Sequence, residues 1–250
     1  MTEKSQNEET DRADRTRKKI LGAAIHQFSR HGLAGARTDA IAQAAKVNKA
    51  LLYYYFGNKN GLYSAALEDV ANKIAESSIA ALESGVTAGE SLLRLALNHF
   101  DRVCSQHEFQ NLMQQEMVRF HRGQSDIMPM LARSLYRPLL KRMQAVIEEG
   151  IGTGELCEID WLQVLYSSFG ANIMYRLSAP MMRVALPVET TDRLAPDVRR
   201  KAALEVLGQC LFSDRNHGLK LAQHVLASSP SPTVKETTPK SKELAVRRSR

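Results

Sequence analysis

Four aromatic residues stand together in the stretch KALLYYYFGNK, which runs from residue 49 to residue 59 with a lysine at each end. Tyrosine hydroxyls can bond base edges or phosphates, alanine and leucine can contact thymine methyl groups, and lysines neutralise phosphates. These residue types indicate a nucleic-acid contact. The alternative is that some tyrosines pack against the following helix, and for Tyr54 the sequence leaves both interpretations open.

A helix over this stretch cannot bury all of its apolar side chains, because successive residues lie about 100° apart around the axis. With Leu52 and Phe56 turned toward a core, the residues that face mostly outward are Ala50, Leu51, Tyr53 and Tyr54. An exposed apolar and aromatic face needs a partner. The flanking charges of Lys49 and Lys59 favour DNA as that partner.

The charge distribution points to the same segment. Residues 15–63 carry nine basic residues and one acidic residue, a net charge of +8, while residues 64–226 carry 17 and 19, a net charge of −2. Residues 1–14 carry −3 and residues 227–250 carry +4. A compact basic segment next to a nearly neutral one predicts two parts with different functions. We call residues 15–63 the head, which should bind a polyanion, and residues 64–226 the body, which should have a separate function. A merely solvated basic face is the alternative.

The elements around this stretch are helical. Apolar residues recur at helical spacing over residues 15–31, and Gly32 is a plausible stop. Thr38 offers an N-cap hydroxyl to a short helix over residues 39–45, and Asn48 can cap the helix KALLYYYF. One longer helix followed by two short ones is the layout of a helix-turn-helix unit, whose second short helix enters the DNA major groove.

The segment TDAIAQAAKVNKALLYYYFGNKNGLY resembles the DNA-binding signature of the TetR (tetracycline repressor, AcrR) family of bacterial transcription factors, from about Ile20 to Tyr63. The resemblance implies a phosphate contact from Thr38, a major-groove face on helix three and a backbone grip from Tyr55 and Lys59. Lys46 stands where the family usually has glycine, and could strain the turn or contact a phosphate. The predicted DNA-binding residues are Thr38, Lys46, Asn48, Lys49, Ala50, Leu51, Tyr53, Tyr54, Tyr55 and Lys59.

The predicted fold is all-α, with four segments. We expect a disordered N-terminal arm over residues 1–14, a helix-turn-helix domain over residues 15–62, a helical ligand-binding and dimerisation domain over residues 63–226, and a disordered basic tail over residues 227–250. Helices of the body are predicted near residues 59–82, 88–106, 108–121, 127–150, 160–178 and 197–213. The string GIGTG at residues 150–154 lacks phosphate-loop spacing, which predicts a helix stop, and Asp160 is placed to cap the next helix.

Methionine and aromatic residues cluster in the body, where flexible thioethers and flat rings can line an adaptable apolar pocket. The sequence therefore predicts a small lipophilic or aromatic effector, although the same residues could simply be core. Polar residues that could orient a ligand include His99 and Arg102, along with Gln114 and Arg176. The candidate ligand-binding residues are Phe100, Arg102, Met113, Met117, Phe120, Trp161, Tyr166 and Met174.

Two apolar stripes at helical spacing could pair two copies of the chain. The family resemblance implies dimerisation through the last two long helices, whereas the stripes alone could also complete the monomer's own core. The candidate interface residues are Leu162, Leu165, Phe169, Ile173, Ala203, Val206, Leu207 and Cys210. A two-fold dimer would double the short DNA site.

Enzyme chemistry finds no support in the sequence, which contains neither HExxH nor GxSxG and has no nucleophile signature at Cys104 or Cys157. We expect no cofactor and no metal. Three scattered cysteines and the lack of a signal peptide or a membrane span predict a cytoplasmic protein, associated with the nucleoid when bound to DNA. The predicted function is a ligand-responsive regulator, with repression as the commoner outcome. A nonspecific nucleoid-associated or RNA-binding adaptor is the alternative.

Overall fold

A computed structural model of the chain describes residues 3–187 and 192–232. Four helices form its N-terminal part. They are α1 (Glu3–Gly35), α2 (Thr38–Ala45), α3 (Lys49–Phe56) and α4 (Lys59–Glu83). These bounds confirm the predicted order of one longer helix followed by two short ones and then a long connecting helix.

Helix α1 is longer than the sequence predicts. It begins at Glu3, so residues 3–14 are helical where we expected a disordered arm. This stretch contains helix-forming Glu, Gln, Arg and Lys but neither glycine nor proline, and an ion pair between Arg15 and Asp11 links adjacent turns. At Gly32 the backbone leaves the helical region, with φ 66° and ψ 177°, so the predicted stop is a kink before a last turn that reaches Gly35.

The two short helices differ in how they begin. Asn48 caps α3 as predicted, because its side-chain oxygen accepts a 2.6 Å hydrogen bond from the backbone N–H of Leu51. Thr38 does not cap α2. The N-cap residue is Arg37, which makes no side-chain capping bond, and Thr38 is the first helical residue with its hydroxyl directed elsewhere.

The body continues the all-α pattern within the described residues. Its helices are α5 (Ala88–Ser105), α6 (His107–His121), α7 (Met128–Leu131), α8 (Arg137–Gly152), α9 (Trp161–Leu165), α10 (Ala171–Ala185), α11 (Pro196–Leu211) and α12 (Arg215–Ser228). Asp160 caps α9 as predicted, and the GIGTG string ends α8. Helix α12 is not predicted by the sequence analysis.

Two of the predicted body helices are interrupted by a wider turn. Residues Ala132–Tyr136 form a first π-helical turn between α7 and α8, and Tyr166–Gly170 form a second between α9 and α10. Single π-helical turns inside α-helices occur frequently at functional sites. The side chains on both turns are therefore candidates for a functional role.

One hydrophobic core joins the head to the body. Buried side chains of α1 to α4 pack with Leu112 and Met113 of α6 and with Ile127, Met128 and Leu131 around α7. Polar contacts reinforce this packing. His26 Nδ1 lies 2.5 Å from a Glu108 carboxylate oxygen, and the Gln115 side-chain amide donates a 2.8 Å hydrogen bond to the carbonyl of Ser29. The predicted boundary at residue 62 thus falls inside α4, within a continuous core.

A second core fills the opposite end of the body, between α5, α8, α11 and α12. Helices α11 and α12 cross at Gly208 and Gly218. A Cβ atom added at Gly218 would lie 2.0 Å from the Gly208 carbonyl oxygen, and one added at Gly208 would lie 2.6 Å from the Gly218 carbonyl oxygen. The crossing therefore requires glycine at both positions.

None of the helices in the described ranges is both long and apolar enough to cross a membrane. The cysteines Cys104, Cys157 and Cys210 are all free thiols. Most of the expected basic tail, from residue 233 onward, lies outside the described residues, as do Met1 and Thr2.

Candidate nucleic-acid interface and effector site

Helix α3 exposes the face that the angular argument predicts. Leu52 is fully buried in the first core, and Phe56 is half-buried against it. Tyr53 is 37% exposed and Tyr54 is 82% exposed. The exposure of Tyr54 excludes the interpretation that it packs against the following helix, and leaves its ring and hydroxyl available to a partner.

The N-terminal end of α3 is polar and charged. Asn48, Lys49 and Ala50 are exposed, and Leu51 is half-buried. Lys49 Nζ lies 2.9 Å from a carboxylate oxygen of Asp39 on α2. A hydrogen bond from Lys49 lowers the pKa of Asp39, and the same bond raises the pKa of Lys49. The Lys49 ammonium group, which the sequence predicts to contact DNA, is therefore already paired with Asp39.

The hydroxyl groups of Thr38 and Tyr53 lie 3.2 Å apart, within hydrogen-bond distance. This contact links the first turn of α2 to the outward face of α3. Thr38 is buried, and the phosphate contact that the resemblance implies for it stays a prediction. The contact was not predicted, because residues 15 positions apart on different helices give no local signal.

The turn between α2 and α3 is left-handed at Lys46, with φ 56° and ψ 44°. Lys46 is the one non-glycine residue with positive φ among those that the structure describes. Its N–H bonds to the Gln43 carbonyl at 3.1 Å, and the Val47 N–H bonds to the Ala42 carbonyl at 3.0 Å. The lysine thus adopts the conformation that glycine favours, and its side chain is exposed.

Tyr55 and Lys59 are both half-buried, and their predicted contacts with the DNA backbone stay predictions. Tyr55 is half-buried against the first core, and Lys59 Nζ donates a 3.0 Å hydrogen bond to the carbonyl of Ala34. Arg37, which the sequence analysis missed, is exposed beside the Asp39–Lys49 pair and contributes to the charge around it. A basic residue directly before α2 is the signal that could have identified it.

The candidate ligand-binding residues do not form one pocket. Phe100 and Arg102 are buried on α5, whereas Met113 belongs to the first core and Trp161 packs on the second. The side chains that lie on the surface instead are Met117, Phe120, Tyr166 and Met174. Helical spacing predicted apolar character at these positions but could not say which face of each helix is covered.

A buried polar cluster on α5 is the better candidate for an effector site. We call it the α5 polar cluster, and its members are Ser77, Ser78, Asn98, His99, Arg102 and Asn172. His99 and Arg102 lie one turn apart and are each 6% exposed. Only these two were considered from the sequence. Ser77 and Ser78 come from α4, Asn172 comes from α10, and Asn98 lies one turn before Arg102 on α5.

The histidine of this cluster is neutral at physiological pH. Burial, and then the nearby charge of Arg102, lowers the pKa of His99 to about 3. Its ring stacks on Phe169 with 4.1 Å between centroids, and its Nδ1 lies 3.3 Å from the side-chain nitrogen of Asn172. The second π-helical turn therefore supplies an aromatic wall to the cluster.

A small cavity lies next to the cluster, between α5, the second π-helical turn and α11. Its volume is about 70 Å³, and Phe100 and Asn172 are among its lining residues. Ligand pockets are typically about 300–1,000 Å³. The site in this conformation is therefore closed, and a ligand of ordinary size requires the surrounding helices to move apart.

The candidate interface residues divide into two groups. Leu165, Phe169 and Leu207 pack partly against the second core of their own chain, and Ile173 and Ala203 are half-buried. The residues that remain exposed are Leu162, Val206 and Cys210. An exposed stripe on α10, not predicted as such, consists of Met174, Leu177, Met181 and Val184.

Residues 20–66 match the family model described as bacterial regulatory proteins, tetR family. Over 53 residues the chain is 51% identical to the HTH-type transcriptional repressor SCO4008 of Streptomyces coelicolor, which is 21% of this chain and 28% of that protein. Over 150 residues it is 31% identical to the "Probable HTH-type transcriptional regulator YttP" of Bacillus subtilis, covering 54% of this chain and 64% of that protein. The chain thus spans less than two thirds of either relative's length.

The fold is similar to that of the ketosteroid transcriptional regulator KstR2 of Mycobacterium tuberculosis. The TM-score is 0.57 at 18% identity, over 79% of this chain and 95% of that chain. This likeness is one of fold. It confirms the predicted all-α architecture, with a helix-turn-helix domain followed by a larger helical region.

Proposed function

We propose that this protein, whose N-terminal helix-turn-helix domain belongs to the tetR family of bacterial regulatory proteins, is a ligand-responsive transcriptional regulator that binds operator DNA as a dimer. The outward face of α3 carries the proposal. Asn48 caps the helix, Leu52 anchors it in the core, and Tyr53 and Tyr54 project outward beside Lys49. That face offers apolar and hydroxyl contacts for base edges and cations for phosphates.

A single α3 of eight residues covers few base pairs, so a useful site length requires two copies. The exposed stripe on α10 supplies a surface for pairing, since its four apolar residues recur at spacings of three, four and three and each is more than half exposed. Val206 of α11 adds a further exposed apolar side chain. We propose that these residues, with Leu162 and Cys210, form the dimer interface.

Helix α4 is the proposed link between effector and DNA. Its N-terminal end contributes Leu62 and Tyr63 to the first core, which holds α3. Its C-terminal part contributes Ser77 and Ser78, both of which accept hydrogen bonds from Arg102. A ligand that changes the position of Arg102 therefore acts on the helix that carries the head.

The proposed mechanism is a two-state equilibrium. In the DNA-bound state the two α3 helices lie about 34–36 Å apart, one turn of B-DNA. An effector that binds the open form of the α5 site more tightly favours a different spacing and releases the operator. We propose repression as the outcome, since a regulator that occupies a promoter and leaves on effector binding relieves a block.

The test is selection of bound sequences from a random pool of duplex DNA with the purified chain. Enrichment of a single inverted repeat would support the proposal and supply the operator for effector screening. A flat profile whose binding falls uniformly with salt would overturn it in favour of a nonspecific nucleic-acid binder. A Tyr54→Ala variant, which removes an exposed ring, should reduce binding to the repeat while leaving the fold intact.

A further inference from the structure

Two arginines of the body are equally buried but differ in how their positive charge is paired. Arg102 and Arg200 are each 6% exposed. Arg200 uses its Nε and Nη2 edge to bind the carboxylate of Asp101, at 2.7 and 2.9 Å. Such a bidentate pair is the geometry in which a buried guanidinium is normally satisfied.

Arg102 has no such partner. Its Nη1 lies 3.2, 3.2 and 2.9 Å from the side-chain oxygens of Ser77, Ser78 and Asn98 and shares its two hydrogens among these three neutral acceptors. Its Nε is buried without any hydrogen-bond partner. Among the residues that the structure describes, no carboxylate forms an ion pair with Arg102. Burial consequently lowers the pKa of Arg102 to about 10, which still leaves it charged at neutral pH.

A buried charge without a counter-ion is costly, and natural proteins rarely retain one unless a ligand or partner completes it. In Arg102 the Nε atom is buried without a hydrogen-bond partner, and Nη2 forms no hydrogen bond within the part of the chain that the structure describes. These are the two nitrogens that bind Asp101 in Arg200. The three contacts of Nη1 fix the orientation of the guanidinium. The group is therefore positioned to receive a planar anion on its free edge.

The net charge of the site limits how much negative charge a bound anion can carry. His99, a basic residue one turn away on α5, is neutral because burial holds its pKa near 3. The site thus offers one positive charge, which matches a carboxylate better than a doubly charged phosphate. Two aromatic side chains adjoin the cluster, since Phe169 stacks on His99 and the half-buried Tyr136 lies near Arg102.

We propose that the effector carries a single carboxylate that pairs with the free edge of Arg102, on an apolar body that lies against the two π-helical turns. This inference rests on the proposed function, because it specifies the chemical class of the ligand of the α5 site. The first π-helical turn provides Tyr136 and the second provides Phe169. The turns are also the places where the surrounding helices depart from regular geometry, and where opening the closed site would begin.

The experiment compares acids with their neutral isosteres on the full chain. Octanoate, phenylacetate and 4-hydroxybenzoate are each tested against the matching amide at millimolar concentration, and the melting temperature is recorded. We expect at least one acid to raise the melting temperature of the wild-type chain by several degrees more than its amide. Arg102→Met should abolish that difference, whereas Arg133→Met, which removes an exposed arginine of the first π-helical turn, should keep it.

Equal shifts for every acid and amide pair in the wild-type chain would overturn the inference, and so would a difference that survives in Arg102→Met. If Arg102→Met does not fold, Arg102→Lys replaces it, and should keep the positive charge but reduce the shift by more than half because it loses the planar edge. DNA binding is measured separately. Acid binding without operator binding would contradict the proposed function alone, and operator binding without acid preference would contradict this inference alone.

Discussion

The hydroxyl of Tyr63 on α4 donates a 2.7 Å hydrogen bond to the carboxylate of Glu116 on α6, and Glu116 is only 1% exposed. Arg119 completes the site with a 3.0 Å bond to the same carboxylate oxygen. Burial and this carboxylate both raise the pKa of Tyr63, so the phenol remains a donor at physiological pH. The head is therefore joined to the body by a buried charged hydrogen bond as well as by apolar packing.

Tyr63→Phe should lower the free energy of unfolding by about 1–3 kcal/mol, because it removes one of two donors from a buried carboxylate. Urea unfolding followed by circular dichroism measures the change. Tyr166→Phe, at a position 67% exposed, serves as the control and should be neutral. Equal effects of the two variants would show that the Tyr63–Glu116 hydrogen bond between α4 and α6 contributes nothing to the free energy of unfolding.

Lys46→Gly should raise the free energy of unfolding by about 1 kcal/mol, since it relieves a left-handed conformation in a residue with a Cβ atom. Lys46→Ala keeps the strain and removes only the charge, so it should not stabilise. If the Lys46 side chain contacts a phosphate, both variants should reduce the salt dependence of DNA binding by about one phosphate. Stabilisation by alanine equal to that by glycine would contradict the strain argument.

Asp39→Asn should tighten DNA binding by roughly fivefold, because it frees the Lys49 ammonium and removes a negative charge from the interface. Fluorescence anisotropy with labelled operator measures the affinity. Asp69→Asn is the matched control, since Asp69 pairs with Lys73 on α4, outside the α2–α3 face. A loss of affinity in Asp39→Asn would mean that the ion pair orients Lys49 rather than competing for it.

The buried His99 should lower the free energy of unfolding as the pH falls below 7. Its pKa is about 3 in the folded chain and about 6.5 when unfolded, so between these values the unfolded chain binds a proton that the folded chain does not. The contribution is complete above pH 7, and about 2 kcal/mol of it should be lost on going from pH 7 to pH 5. Urea unfolding at the two pH values measures it. His99→Gln should remove this part of the loss, while the exposed His121→Gln should retain it.

Val206→Glu should convert the proposed dimer to a monomer, because it places a charge within an apolar surface that pairing would bury. Sedimentation velocity at micromolar concentration distinguishes the two states. Val86→Glu provides the control, as Val86 is 91% exposed in the turn before α5 and away from α10 and α11. A wild-type chain that sediments as a monomer would remove the basis for a pseudo-palindromic operator.

Local signals in the sequence were sufficient for the head. Asn48 as a cap, Leu52 as an anchor and the outward direction of Tyr53 and Tyr54 all follow from helical geometry over fewer than ten residues. The same reasoning failed for Thr38, because the tertiary contact with Tyr53 competes with capping for its hydroxyl. Short-range rules hold where no distant group competes for the same atom.

The body was less predictable for the same physical reason. Apolar spacing identifies a helix face but not what covers it, so Met174 was assigned to a pocket while it lies on the surface. The lack of a counter-ion at Arg102 depends on how α4, α5 and α10 pack together, and no single stretch of sequence encodes it. Helix α12 was missed since its buried positions are small, with Ala222 and Gly218 contacting other helices closely.

The core that α1 to α4 share with α6 and α7 also limits how this chain can be recombined with its relatives. A chimera cut at residue 62 would separate Leu62 and its neighbours from Leu112 and Leu131, with which they share one core. Exchanging operator preference should therefore succeed by transplanting only the outward residues of α2 and α3, on a retained inner surface. In this chain the exposed side chains of α2 and α3 can therefore be exchanged separately from the core that holds them, whereas residues 1–62 cannot be exchanged as a unit.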